Sequence, residues 1–375
     1  MKNAVLFGGG SIGRSFITPV LQKAGFRVSI VDLNSSLIKQ LNRKKQYDIV
    51  IRKSGGDGVI TITDFSAIDA ADETALFSAL KDADLLISSV GMRGMISVCR
   101  VLAKELMRRE ERGADAPMDL ILAENIPAAA AICTGIFREE LGEDFPLNSH
   151  LGLIETSIGK MVPLLTEKDR REDPLRLFAE EYNTLILDRE GFINPPPVSA
   201  DIQLVSPIQA YIDRKLFIHN MGHSAAAYLG RKKYPEITMI WEVLEHQSIF
   251  NQLRSAMMTS AHALSREYPS VFTIQDLEKH VDDLLFRFQN RSLGDTVERV
   301  GRDLKRKLSA KDRIAGSLRL AEKHKLDASV FYEIFEAALI FGKAPAAMDE
   351  DREIFRNYEM KGLKDMMDQL SFSGE

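Results

Sequence analysis

Three polar residues share a short stretch of one predicted helix, Asp213-Arg214-Lys215-Leu216-Phe217-Ile218-His219-Asn220-Met221-Gly222-His223. At about 100° per residue, Asn220 lies about 140° and His223 about 80° from Lys215, so all three fall on one broad face. A lysine, an amide and an imidazole directed into one cleft suit a hydroxyl that becomes a carbonyl. A lysine whose pKa is depressed by burial can take the proton, an amide N–H can hold the oxygen, and an imidazole can orient the substrate. A solvated lysine beside polar residues that bridge to backbone fits the same pattern, so the residues alone leave both readings open. His219 and His223 stand four apart, as metal ligands can. No HExxH-type acidic partner is in register with them, and no metal site is expected.

A second constellation is Gly8-Gly9-Gly10-Ser11-Ile12-Gly13, which fits G-x-G-x-x-G between a predicted strand and a predicted helix. Gly8 permits the tight turn, Gly10 lets backbone approach a pyrophosphate, and Gly13 allows helix to pack closely on strand, with Ser11 and Ile12 at the helix start offering N–H groups to the anion. Asp32 follows Gly13 by 19 residues at the end of the next strand, where a carboxylate can accept from both ribose hydroxyls. It would repel a phosphate on the 2′ oxygen, and Leu33-Asn34-Ser35-Ser36 supplies no arginine to relieve that repulsion, so the expected cofactor is NAD, not NADP. Val90 and Gly91, at the end of a later strand, are expected to line the same crevice.

These residues need a scaffold, and the first half of the chain alternates strand-like and helix-like segments. Strands are expected at 2–7, 27–32, 58–63, 84–90, 119–123 and 150–154, with a helix at 12–24. Short apolar strands separated by helices imply a largely parallel, doubly wound sheet with ligands beyond the strands' C-terminal ends. Ser54-Gly55-Gly56-Asp57-Gly58 reads as a turn and predicts a small antiparallel addition to that sheet. Asn194-Pro195-Pro196-Pro197 is a stiff connector that cannot continue a helix. Beyond it, helices are expected at 207–229, 238–266, 275–288, 311–324, 328–342 and 349–370. The expected organisation is therefore an α/β domain of Rossmann type over 1–195 and an all-helical substrate and catalytic domain over 196–375.

The 375 residues carry 49 Lys plus Arg against 54 Asp plus Glu, a net charge of −5, with 45% hydrophobic and 27% charged residues. That composition excludes a disordered, collagenous or disulfide-built chain and disfavours a bulk polyanion such as nucleic acid as partner. Only Cys99 and Cys133 occur, both in predicted helices, which fits a reducing cytoplasm and leaves no four-cysteine zinc site. The first residues lack a signal peptide's long apolar region, and no apolar run is long enough for a membrane span. A cytoplasmic monomer or small homo-oligomer is expected. One departure from even charge is a cationic segment of fifteen residues, containing Arg299, Arg302, Lys305, Arg306, Lys307, Lys311 and Arg313. Such a run is commonly a solvated face.

Four stretches, FGGGSIGRSFI with VDLN, ILAENIPAAA, DRKLFIHNMGHSAAAYLG and VERVGRDLKRKLSAKDR, resemble the mannitol dehydrogenase family of polyol-specific long-chain dehydrogenases, across both expected domains. The resemblance implies metal-free hydride transfer between NAD and a polyol. In it Lys215 resembles the general base, Asn220 an amide on the reacting oxygen, His223 the imidazole that contacts substrate hydroxyls, and Asn125 the second amide. It further implies a polyol phosphate substrate, with D-mannitol 1-phosphate oxidised at C5 to D-fructose 6-phosphate, and with Arg299 and Arg302 able to clamp the phosphate. Where family members commonly carry Val-Asp-Arg-Ile-x-Pro, this chain has Ile158-Gly159-Lys160-Met161-Val162-Pro163. The change removes an acid and a bidentate fork, and it bears on the choice of polyol. The alternatives are another polyol, polyol phosphate or hexuronate as substrate and, from another class, a non-catalytic NAD-sensing regulator.

Overall fold

Strands that are apolar on both faces belong in a parallel sheet covered on both sides, and β1 (Lys2–Phe7) shows why. Its Ala4 and Leu6 enter one apolar cluster while Val5 and Phe7 enter another, because successive side chains leave a strand on opposite faces. The computed structural model describes residues 1–53, 55–114, 116–124, 126–163, 165–344 and 347–372. It divides into two units after Gln209.

In the first unit, β1 is followed by a π-helical stretch, Gly13–Ile17, which runs into α1 (Thr18–Lys23). Then come β2 (Phe26–Asp32), α2 (Ser35–Lys44), β3 (Tyr47–Arg52), β4 (Gly58–Ile62), β5 (Phe65–Asp69), α3 (Glu73–Lys81), β6 (Leu85–Ser88) and α4 (Gly91–Glu111). The chain continues through β7 (Met118–Leu122), α5 (Ala129–Leu141), α6 (Leu147–His150), β8 (Leu151–Ser157), α7 (Glu167–Glu172), β9 (Leu177–Glu180), β10 (Leu185–Asp188) and β11 (Ile202–Val205). The main sheet has the order β11-β10-β8-β7-β6-β1-β2-β5, with β8, β7, β6, β1, β2 and β5 paired in parallel. This is the doubly wound, Rossmann-like sheet expected from the alternating pattern. Cys99 in α4 and Cys133 in α5 are both buried.

Two details of the expectation change. The hairpin around Gly55–Gly58 does not extend the main sheet. β3 and β4 pair antiparallel and join β9 in a separate three-stranded sheet. β3 alternates buried and half-buried residues, the pattern of a strand with one dry face, which does not suit the doubly covered main sheet. The boundary also falls after Gln209, not at 195. Beyond the prolines the chain returns to the sheet edge, where β11 pairs in parallel with β10, Leu185 opposite Ile202. The triple proline stiffens a connection inside the first unit.

The second unit is helical. After α8 (Ile208–Arg214) comes a second π-helical stretch, Lys215–Asn220, then α9 (Met221–Lys233), α10 (Ile240–Glu245), α11 (Gln247–Glu267), α12 (Ile274–Phe288), α13 (Val297–Gly301), α14 (Leu304–Lys307), α15 (Arg313–Lys323), α16 (Ser329–Phe341) and α17 (Asp349–Phe372). Ala225, Ala226 and Ala227 keep α9 narrow, and with the helix buried from Ser224 to Gly230 it can serve as the packing centre for α11, α13 and α16. The helix expected over 238–266 breaks at His246, which is extended, and α17 is interrupted at Gly362, where φ is 82°.

Candidate active site

The glycine loop is built by close approach of backbone to backbone. Gly8 has φ of +104°, and a Cβ there would stand 2.2 Å from the carbonyl oxygen of Ser89. At Gly13 a Cβ would meet the carbonyl oxygen of Gly8 at 2.0 Å, so only glycine lets the π-helical turn pack this close to β1. Gly10 differs, because nothing lies within 4 Å of a Cβ built there. That open face is what backbone approached by a pyrophosphate requires. Ser11 lines the cavity beside it, while the Ile12 side chain packs on the apolar cluster and leaves its backbone as what it can offer a ligand.

Asp32 is fixed in advance of any ligand. The Gly9 N–H donates to its Oδ2 at 2.7 Å and the Asn34 N–H to its Oδ1 at 2.8 Å, while the Asn34 side chain caps α2 by accepting from the Leu37 N–H. The cavity beside them measures about 470 Å³ and is bounded by Gly9, Gly10, Ser11, Asp32, Arg14 and Arg170 among others. The last two were not singled out from the sequence. Arg14 is buried. Its Nε donates to the Gly9 carbonyl at 2.6 Å and its Nη1 to the Leu175 carbonyl at 2.9 Å, and burial lowers its pKa below the usual arginine value. Its place directly after Gly13 is a local signal, whereas Arg170 reaches the cavity from α7, far away in sequence. An open glycine face, a carboxylate and guanidinium groups at one cavity fit a dinucleotide.

Val90 and Gly91 follow β6 at the start of α4, where Gly8 packs against Ser89 and Val90. Their N–H groups donate to the carboxylate of Glu124 at 2.8 and 2.9 Å, and the Ser88 hydroxyl also donates to it at 2.8 Å. Those amides are therefore engaged by Glu124, which pins the start of α4. Asn125, expected as a second amide on the reacting oxygen, lies outside the described residues.

In the second unit, Lys215 and Asn220 begin and end the π-helical stretch, and His223 lies one turn on in α9. The i→i+5 hydrogen bonding of a π-helix winds the chain less per residue than an α-helix, so Lys215 and Asn220 lie closer to one line than the α-helical angle implied. Burial first, and the neighbouring cation Arg313 second, push the pKa of Lys215 down from 10.5 to about 8. His219 is buried and held well below its ordinary pKa, by burial first and then by Arg287. The His223 ring stacks on Phe288 with centroids 4.8 Å apart and an interplanar angle of 16°, and Phe288 also packs against His219 at 5.6 Å. The Nε2 of His223 lies 3.0 Å from Oδ2 of Asp295, a buried carboxylate that also binds Arg299. Asp295 and Phe288 carry no local sequence signal, since they reach His223 from remote parts of the chain. Among the described residues, no three His, Cys, Asp or Glu side chains lie together as a metal-binding group would.

The cationic segment does not form one solvated face. Arg299 pairs with Asp295, Arg306 with Asp303 and Asp312, and Arg313 with Asp312, while Lys307 is buried and donates to the Val300 carbonyl at 2.5 Å. Burial pushes the Lys307 pKa down to about 7. Arg302, Lys305 and Lys311 are exposed. Lys160, at the departure from the family pattern, is buried in the first unit and donates to the Tyr182 carbonyl at 2.7 Å and to Asn183 Oδ1 at 3.0 Å.

Residues 2–199 match the family model described as the mannitol dehydrogenase Rossmann domain, and residues 207–343 match the mannitol dehydrogenase C-terminal domain. The chain belongs to the mannitol dehydrogenase family. It is similar to the mannitol-1-phosphate 5-dehydrogenase of Lacticaseibacillus paracasei, at 28% identity over 336 residues, 89% of this chain and 85% of that protein. The Lacticaseibacillus casei protein of the same name is also 28% identical, over 88% of this chain and 85% of its own length. Among solved structures, the Pseudomonas fluorescens mannitol 2-dehydrogenase ternary complex with NAD and D-mannitol superposes with a TM-score of 0.74 at 15% identity, covering 92% of this chain and 79% of that one. A substrate-free D-sorbitol dehydrogenase gives a TM-score of 0.74 at 16% identity, covering 97% and 94%. As a member of this family, the chain is an NAD-dependent polyol dehydrogenase. No helix among the described residues is long and apolar enough to cross a membrane.

Proposed function

We propose that the enzyme interconverts D-mannitol 1-phosphate and D-fructose 6-phosphate without a metal, with Lys215 as general base. The observation that carries this reading is the setting of Lys215, a lysine brought to a pKa of about 8 by burial and by Arg313 in the helix that also presents Asn220 and His223. A lysine with an ordinary pKa would be protonated at neutral pH and could not accept a proton. At about 8 a useful fraction is neutral, and the group can both take the hydroxyl proton and return it in the reverse direction. The Asn220 amide would donate to the oxygen as it gains negative charge, Asn125 would give the second donor, and His223 would orient the neighbouring hydroxyls. NAD, held by the glycine loop and Asp32, accepts the hydride when bound.

The phosphate reading is supported by the 28% identical relatives named for mannitol 1-phosphate and by Arg302, an exposed cation near Arg299, whose pKa is lowered first by burial and then by Arg302. Lys160 offers no support for a phosphate site, since its ammonium already donates to Tyr182 and Asn183. The test compares kcat/KM for mannitol 1-phosphate, mannitol and a hexuronate in wild type and in Arg302→Ala. The phosphorylated substrate is expected to be preferred by at least a hundredfold, and Arg302→Ala to erode that preference through KM. Equal use of mannitol would overturn the phosphate reading. Cofactor binding without turnover of any polyol would favour a sensing role.

A further inference from the structure

The family reaction needs groups that touch substrate, and those groups need something to hold them still. His223 and Arg299 come from different helices, yet both end on one carboxylate. Oδ2 of Asp295 lies 3.0 Å from Nε2 of His223, and Oδ1 takes the guanidinium of Arg299. Asp295 is itself buried at 8% exposure. Its backbone is fixed independently of either partner. Its carbonyl accepts from the Ile240 N–H at 3.0 Å, the next residue, Thr296, bridges to Met239, and the Val297 N–H donates to the Thr238 carbonyl at 2.8 Å. The ring of Phe288 stacks on His223 at 4.8 Å, so the imidazole has an aromatic ring on its face and a carboxylate at its edge. Arg299 is anchored at its own backbone, where its N–H donates to the Thr296 hydroxyl that starts α13.

We infer that Asp295 is a positioning residue that locks His223 and Arg299 into one preset pair of contacts for the polyol chain, an inference that rests on the polyol-dehydrogenase reading of this site. A carboxylate attracts the N–H-bearing edges of both groups, so it draws the Nε2 edge of the imidazole and part of the guanidinium to itself and leaves their other edges facing away. Two long side chains that would otherwise sample several rotamers are presented to adjacent hydroxyls in one arrangement. The ordering is made in the free protein and not at the expense of substrate binding. Orienting partners of this kind typically account for about 10- to 100-fold in affinity or activity.

The test is a double-mutant cycle on the full-length enzyme, with kcat and KM measured for D-mannitol 1-phosphate and NAD. Asp295→Asn is nearly isosteric and is expected to lower kcat/KM by about 10- to 100-fold, chiefly through KM. The NADH dissociation constant should stay at the wild-type value, and Asp295→Glu should recover part of the loss. Combining Asp295→Asn with His223→Ala should cost less than the product of the two single losses, because the part of the aspartate's effect that runs through the histidine is already gone and only the part through Arg299 remains. Additive losses, or an Asp295→Asn enzyme with wild-type KM, would overturn the inference. Should Asp295→Asn fail to fold, the cycle of His223→Ala with Arg299→Ala in a chain that keeps Asp295 decides the question. Coupled effects support the shared clamp and additive effects refute it. If wild type turns over another polyol but not mannitol 1-phosphate, the substrate reading fails, and the same cycle is run on that polyol, so the two failures are separately visible.

Discussion

Both regions that matter for chemistry begin in a π-helical stretch, Gly13–Ile17 in the first unit and Lys215–Asn220 in the second, yet they are built on opposite plans. The proposed cofactor cradle is largely backbone. Gly8 and Gly13 exist to let main chain touch main chain, and Asp32 is held by two amide donors close by in sequence or one strand away. The proposed catalytic cluster is side chain. Lys215 is tuned by burial and by Arg313 from α15, and His223 is held by Phe288 from α12 and by Asp295 ahead of α13. A backbone site depends on small residues at fixed local spacing, whereas a side-chain site depends on what distant helices bring to it.

That contrast can be broken or sharpened experimentally, and the largest effect is expected at the base. Lys215→Ala should lower kcat for polyol oxidation about 10³-fold, in the range that general-base catalysis supplies, with the NADH dissociation constant unchanged in a fluorescence titration. Turnover near wild type would remove Lys215 from its proposed role. Next come the glycines, which should separate packing from ligand approach. Gly8→Ala places a methyl 2.2 Å from a backbone oxygen at a φ of +104°, so it should lower the melting temperature and abolish NADH binding together. Gly10→Ala has open space around its methyl and should melt like wild type while losing at least about tenfold in NADH affinity, because the methyl occupies room the pyrophosphate needs. Wild-type affinity in Gly10→Ala would show that the cofactor does not approach there.

A smaller effect is expected on the pH profile. Lys215 must be neutral to accept a proton, so kcat/KM for oxidation should rise with pH and level off above about 8, and the reduction direction should fall over the same range. Burial is the main cause of the low pKa and Arg313 the lesser one, so Arg313→Met should move the midpoint upward without restoring it to 10.5. A midpoint that stays put or moves down would separate Arg313 from the base. The smallest expected change is in stability. Folding a lysine whose pKa is lowered by burial releases protons, so between about 8 and 10.5 stability contributed at this site increases with pH, and below about 8 the buried ammonium is a standing cost. Lys215→Met should therefore melt above wild type at pH 7 in a thermal scan while being inactive.

Much of the first unit was legible because its rules are local. The alternation of apolar strands and helices predicted β1, β2, β6, β7 and β8 close to their observed limits, and the glycine spacing marked the tight turn after β1. Where the sequence misled, a long-range pairing decided the outcome. The prolines at 195–197 looked like a domain boundary, but β11 forms beyond them by hydrogen bonding to β10. The hairpin β3 and β4 was visible as a turn, yet its assignment to a second sheet depends on β9, more than a hundred residues away. The cationic segment looked uniform, and the structure divides it into paired, buried and exposed members according to which carboxylates reach it.

By itself, the sequence determined the types of group available, namely a glycine-rich turn with an acidic strand end and a Lys, Asn and His on one helical face, because these are fixed by residue identity and short spacing. Only the tertiary structure decided how those groups are conditioned. The π-helical winding that brings Lys215 and Asn220 closer to one line shows only in the folded chain, and the burial that lowers the lysine's pKa and the contact of His223 with Asp295 arise from the packing of remote segments. Desolvation and side-chain contact are properties of the folded neighbourhood, and no pattern within one segment encodes them.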